Sequence, residues 1–329
     1  MSVRRALQSA GAIVVALALC GLFPSIAAAK ATVAFTIKDE RVVESSGLAR
    51  DTVASLYWTV NDSGASGAAY GVQPNGKVRG SLNYRAQPQD VEAAAVHDDR
   101  LYLGDIGDND EQRDFVRVYY FDNPRANGLT VDYRAYDFRY PDGSHDAETL
   151  LVNGKGRLFI VTKAAGKGGI YAAPKKPSRN GVNDLERVGT APALITDGTF
   201  LPGDQQVALL SYDSVRVIDA DTYKTVATAR IPRQPQAESM TVSLDAKSLL
   251  VGSEGKRSKV YEMPVPGAKT QTPTPTPSDN PGQTDPGDVP DEDTEPSAGQ
   301  SNAGTFFAVG LAGFVAIVAG VVVALVRKP

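Results

Sequence analysis

The chain has 329 residues, 42% hydrophobic and 22% charged, with a formal net charge of −4. That length suffices for one large folded domain with appendages, and the mild acidity offers no basic footprint for nucleic acid. A single cysteine, Cys20, and two histidines, His97 and His145, exclude a thiol-based metal site; loss of a leader carrying Cys20 would also exclude any disulfide.

Residues 1–29 read as a secretory signal. Arg4 and Arg5 supply a positive start, Ala10 to Phe23 an apolar stretch, and Ala27-Ala28-Ala29 a small-residue cleavage site before Lys30. An uncleaved anchor is the alternative. Lipid attachment at Cys20 is disfavoured, because bulky Leu19 stands where a small residue is needed.

Residues 31–265 are expected to form an all-β domain. ATVAFTI, at 31–37, alternates as a strand. A pattern then returns five times: an acid, an apolar stretch, a turn and further apolar strands. The leading acids are Glu44, Glu92, Glu148, Asp197 and Glu238, separated by 48, 56, 49 and 41 positions. A period in the forties with several short strands per unit is the signature of propeller blades. The spacing predicts a five-bladed β-propeller; a sixth blade stays open if the insertion near 121–129 hides strands. KVRGSLNYR, LTVDYRAYDFRY, DLERVGTAP and TVATARIP are expected as outer strands of the first four blades. The fifth repeat ends at KVYEMPV without one, so the N-terminal strand is expected to fill that place and close the ring. Tyr57, Trp58, Tyr102 and Phe159 fall on second strands and read as core between blades.

From Pro266 to Asn302 the chain is rich in Pro, Thr, Asp and Gly, a composition that cannot bury a core and reads as a solvated stalk. Residues 303–326 hold no charge, and 24 residues at about 1.5 Å each suffice to cross a bilayer. Arg327 and Lys328 follow, which places the three-residue tail, 327–329, in the cytoplasm. The expected topology is a single-pass cell-membrane protein with its propeller outside.

Acids that open successive innermost strands would meet near the channel mouth. Carboxylates gathered there repel one another unless spread, protonated, hydrogen-bonded or neutralised by a cation. Glu44, Glu92, Glu148, Asp197 and Glu238 are therefore candidate ligands for a hard cation such as calcium; bonding to backbone between blades is the competing role. The loop GDIGDNDEQRD adds Asp105, Asp108 and Asp110 as candidate metal ligands, although its spacing is not that of an EF-hand. Asn61, Asp62 and Glu254 occupy the corresponding loops of other blades and are candidate ligand-binding residues, as are Arg113 and Lys163. Lys167, Lys256 and Arg257 are further loop cations. No G-x-S-x-G elbow is present. His145 stands beside Ser144, Asp146 and Glu148, but neighbours on an extended segment point to opposite sides, and His97 sits in a turn. A Ser-His-Asp triad would have to assemble across blades, and a surface turn role is favoured for both histidines.

The segments ESSGLA, YWTVNDSG, DVEAAAV, LYLGDIGDN and DAETLLV together resemble secreted, membrane-anchored actinobacterial β-propeller proteins of the phytase-like and NHL/YncE-like group. That resemblance covers residues 31–265. It implies calcium and phosphate-ester hydrolysis for phytase-type members, with Glu92, Asp105, Asp108 and Glu148 at positions like their acidic motifs. The full phytase ligand set is not matched, and Val91 departs from the group's pattern. The expected function is thus a cell-surface propeller that binds a small ligand or an envelope partner through its top face and channel mouth. A calcium-dependent phosphoesterase and a structural component of envelope assembly are the alternatives.

Overall fold

A computed structural model describes residues 30–62 and 67–268. The leader, stalk, membrane-span and tail expectations fall outside those residues. The chain opens with β1 (Thr32–Thr36). Blade 1 contains β2 (Ser45–Asp51), β3 (Leu56–Asn61), β4 (Ala68–Val72) and β5 (Val78–Tyr84). Blade 2 follows with β6 (Val91–His97), β7 (Arg100–Asp105) and β8 (Val116–Asp122); after β9 (Thr130–Val131) comes its outer strand β10 (Arg134–Arg139). Blade 3 has β11 (Ala147–Val152), β12 (Leu158–Thr162) and β13 (Gly168–Ala172); after β14 (Val182–Asp184) comes β15 (Glu186–Ala191). Blade 4 has β16 (Ile195–Phe200), β17 (Gln206–Ser211), β18 (Ser214–Asp219) and β19 (Thr225–Arg230). Blade 5 has β20 (Ala237–Val242), β21 (Ser248–Ser253) and β22 (Lys259–Pro264). The expected all-β, five-bladed propeller is thus the observed fold.

The central strands are apolar on both faces because each blade is packed on both sides. In β17, Val207 and Leu209 join the cluster shared with blade 3, while Ala208 and Leu210 join the one shared with blade 5. In β12, Leu158 and Ile160 face blade 2, whereas Phe159 and Val161 face blade 4. Such strands read as continuous apolar runs, with no alternation between apolar and polar residues. Tyr57, Trp58, Tyr102 and Phe159 are all buried in these interblade layers. Trp58 donates its indole N–H to Asp51 Oδ2 at 2.9 Å, so burial leaves no unmet donor.

Ring closure follows the expected route. β1 pairs antiparallel with β22 and becomes the outer strand of blade 5. Phe35 and Ile37 then pack with Leu48 and Tyr57 of blade 1 and with Leu250 and Val260 of blade 5. The insertion between β8 and β10 adds no sixth blade. Its β9 pairs parallel with β5, giving blade 1 a fifth strand. In the same way β14, on the path from β13 to β15, pairs parallel with β10 of blade 2.

Candidate functional site

All five innermost strands carry a register irregularity near their starts. It falls between Ser46 and Leu48, Val91 and Ala93, Ala147 and Thr149, Ile195 and Asp197, and Ala237 and Ser239. The residues left out of the pairing are Gly47, Glu92, Glu148, Thr196 and Glu238. A bulge leaves one residue out of the ladder and re-aims any side chain it carries, here at the corresponding place in each blade. Only three of the five leading acids are therefore structural equivalents. Glu44 lies three residues before the bulge position of its blade, and Asp197 one residue after.

That offset gives Asp197 a different surrounding. It is fully buried and accepts hydrogen bonds from the backbone N–H groups of Gly198 at 2.7 Å, Met240 at 2.5 Å and Leu48. Burial nevertheless holds its carboxyl well above the usual range. Asp197 thus ties blade 4 to blades 5 and 1. Beyond it, lined by the second halves of the innermost strands, lies a cavity of about 580 Å³ at the channel end opposite the acids.

Glu92, Glu148 and Glu238 are each less than about a tenth exposed. Ser46 Oγ donates to the Glu92 carbonyl at 2.9 Å and stands 3.1 Å from Glu92 Oε2. Burial, then the nearby charges of Glu148, Asp90 and Asp62, push the Glu92 carboxyl up to about 10. Glu148 Oε1 is paired with the Lys163 ammonium, which also lies 5.5 Å from the Tyr212 ring centre. Burial still dominates and lifts Glu148 to about 8. Its other oxygen, Oε2, is buried without a hydrogen-bond partner. Glu238 accepts from Gln236 Nε2 at 2.7 Å and from Tyr212 at 3.4 Å.

The rim above these residues holds a tighter group. One carboxylate oxygen from each of Glu44, Asp62 and Glu254 lies within 4.8 Å of the others, and all three residues are half-buried. Asn61 builds half of it: its Oδ1 accepts from the backbone N–H of Val43 and of Glu44, both at 3.2 Å, and its Nδ2 donates to Arg41 O at 2.8 Å. Asp62 N–H then donates to Glu44 O at 3.3 Å, and Asp62 O accepts from Val91 N–H at 3.1 Å. The other half comes from blade 5, where Glu254 N–H donates to Gln236 O at 2.9 Å. Burial and the charges of Glu238, Asp62 and Glu44 push the Glu254 carboxyl up to about 7. Three acids at such separations could coordinate a metal ion.

The acidic loop of blade 2 is organised otherwise. Asp105 accepts from Gln89 N–H at 3.2 Å, from Asp90 N–H at 3.0 Å and from Arg113 Nη1 at 3.0 Å. Asp108 accepts from the N–H groups of Gln112 at 2.9 Å and Arg113 at 2.8 Å. These carboxylates fold the loop, and Asp110 is exposed at its tip. Arg113 and Lys163, candidate ligand-binding residues, form ion pairs with Asp105 and Glu148. Asp90 and Tyr212 are the mouth residues that sequence reasoning left unassigned. Asp90 carried a signal, since it stands two residues before Glu92 as Asp146 does before Glu148. Tyr212 carried none.

No family model and no curated protein matches the chain. Among solved structures it is similar to a gluconolactonase from Xanthomonas campestris, described as important in glucose secondary metabolic pathways. The identity is 17% over 72% of this chain and 90% of that one, with a TM-score of 0.42. A likeness so distant carries no argument about activity.

Proposed function

We propose that the protein binds a divalent cation, calcium by the chemistry of its donors, at the top mouth of its channel, and uses that ion to hold a small oxygen-bearing ligand. The observation that carries this reading is the approach of Glu44, Asp62 and Glu254 to within 4.8 Å. Glu148 supports it, because a buried carboxylate oxygen without a partner is costly unless something positive or protic meets it. Arg113 and Lys163 are already paired, so an anionic ligand would reach the mouth through the ion and not through free basic groups. The propeller's place outside the membrane, held by residues 303–326, belongs to the same proposal.

A second reading, metal-assisted hydrolysis of an ester such as a phosphate monoester, rests on Glu148. Its carboxyl is lifted to about 8; a cation beside it would favour the charged form, whose oxygen without a partner is suited to take a proton from attacking water.

Calorimetric titration of the chelator-stripped full chain with calcium tests the first reading. Wild type should bind with a raised melting temperature, by mass action. Asp62→Asn with Glu254→Gln should weaken binding about a hundredfold or more, the result expected when two charged ligands are neutralised. No heat from wild type would overturn the proposal. For the second reading, release of nitrophenol from a nitrophenyl phosphate should need calcium and vanish in Glu148→Gln while calcium binding persists.

A further inference from the structure

The outer strands of blades 3 and 4 border a groove of about 560 Å³. Three cations line it: Lys167 from the loop before β13, Arg216 from β18 and Lys224 just before β19. No acid lines it, and none of the three forms an ion pair or side-chain hydrogen bond among the described residues. This sets them apart from Arg113, Arg117, Arg139 and Lys163, each of which is committed to a carboxylate. Nearby acids are spent elsewhere or stand outside the groove. Asp219 accepts from Thr222 at 2.8 Å, Glu186 lies 3.5 Å from Arg157, and exposed Asp221 does not line the groove.

The placement follows from the strand pattern. In β18, Val215 and Val217 face the core shared with blade 5, so Arg216 between them faces blade 3. Gly189 of β15 admits the Tyr223 ring, which a Cβ there would meet at 2.6 Å, and this contact forms the floor between the two blades. The edge has also been left open. β9 covers the outer strand of blade 1 and β14 that of blade 2, whereas β15 and β19 end their sheets. Backbone N–H groups of an uncovered edge and the hydroxyls of Thr190 and Thr225 add neutral donors around the cations.

We propose that this groove binds a small ligand carrying two or more phosphate groups. Three separate unpaired cations along one groove match several linked oxyanions better than one. The site is independent of the metal at the mouth.

Inorganic tripolyphosphate, titrated into the full chain in chelator at low salt, is the probe. One saturable site is expected, with affinity falling as salt rises. Lys167→Glu with Lys224→Glu, both at exposed positions, should weaken binding at least about tenfold with an unchanged melting temperature. Arg216→Gln should weaken it as well, and Asp62→Asn with Glu254→Gln should leave it intact. Absence of heat, uptake that never saturates, or affinity unchanged in the lysine variant would each overturn the assignment. Equal affinity for orthophosphate would overturn its multivalent form.

Discussion

At the scale of single residues, the mouth is a problem in proton binding. The carboxyls of Glu254, Glu148 and Glu92 are pushed up to about 7, about 8 and about 10 from an ordinary value of 4.5, chiefly by burial. Asp90 and Asp197 are raised too. A raised carboxyl makes the folded state the better proton binder, so its contribution is complete below the unfolded value and is lost as pH rises through the folded one. Asp39, Asp142, Asp219 and Asp245 are lowered from 3.8, so what they contribute is lost only in acid below that value. In chelator the melting temperature should therefore fall between about pH 5 and pH 8. Calcium binds the charged form of the same carboxylates and offsets their mutual repulsion, so it should raise the melting temperature more at pH 8 than at pH 5. Glu148→Gln, which cannot charge, should flatten the decline. A melting temperature constant or rising across that window, or calcium increments equal at both ends, would separate the acids from the stability of the mouth.

At the scale of the strand, the bulge decides which acids can act together. The acid spacing made the blades legible, because each blade repeats strand, turn and strand with apolar faces that only a neighbour can cover. It also singled out Glu44, while the loops after the second strands pointed separately to Asp62 and Glu254; that the three carboxylates meet is shown only by the structure. The bulge was not legible: ESSGLAR and ITDGTF contain a small residue where Glu92, Glu148 and Glu238 stand, and only the pairing shows it. A one-residue displacement in a strand reverses the face a side chain meets, which is why Asp197 became an interblade tie while Glu148 turned into the channel. Nor could spacing show that Arg113 and Lys163 would find acids before they found a ligand. Gly47 tests the role of the bulge. Its φ is +67°, and a Cβ there would stand 2.6 Å from Ala94 N, backbone of the next blade. Gly47→Ala should cost at least about 2 kcal/mol, from left-handed strain plus a contact that neither strand can relax. Denaturant unfolding with an unchanged midpoint would mean that blades 1 and 2 can separate freely at this level.

At the scale of the whole molecule, the mouth exists only while the ring is closed. Glu44 and Asp62 come from blade 1 and Glu254 from blade 5, so the candidate cage spans the seam where the first and last blades meet. β1 holds that seam: it pairs with β22 through Thr32, Val33, Phe35 and Thr36, and Phe35 together with Ile37, just past its end, is buried. Full burial of each of those two side chains is worth about 1.5–3 kcal/mol, a large part of an ordinary domain's net stability. Removing residues 31–37 should then lower the melting temperature steeply, uncover the edge of β22 and promote association through it. Calcium binding should be lost with it, although every acid remains in the chain. A synthetic peptide of residues 31–37 should restore both, because what is missing is one strand with defined register and two apolar side chains. A truncated chain that melts like the whole one would place the seam's strength in the interblade contacts of β2 with β20. A truncated chain that melts lower yet binds calcium equally well would show that the three acids are held within their own loops and not by closure.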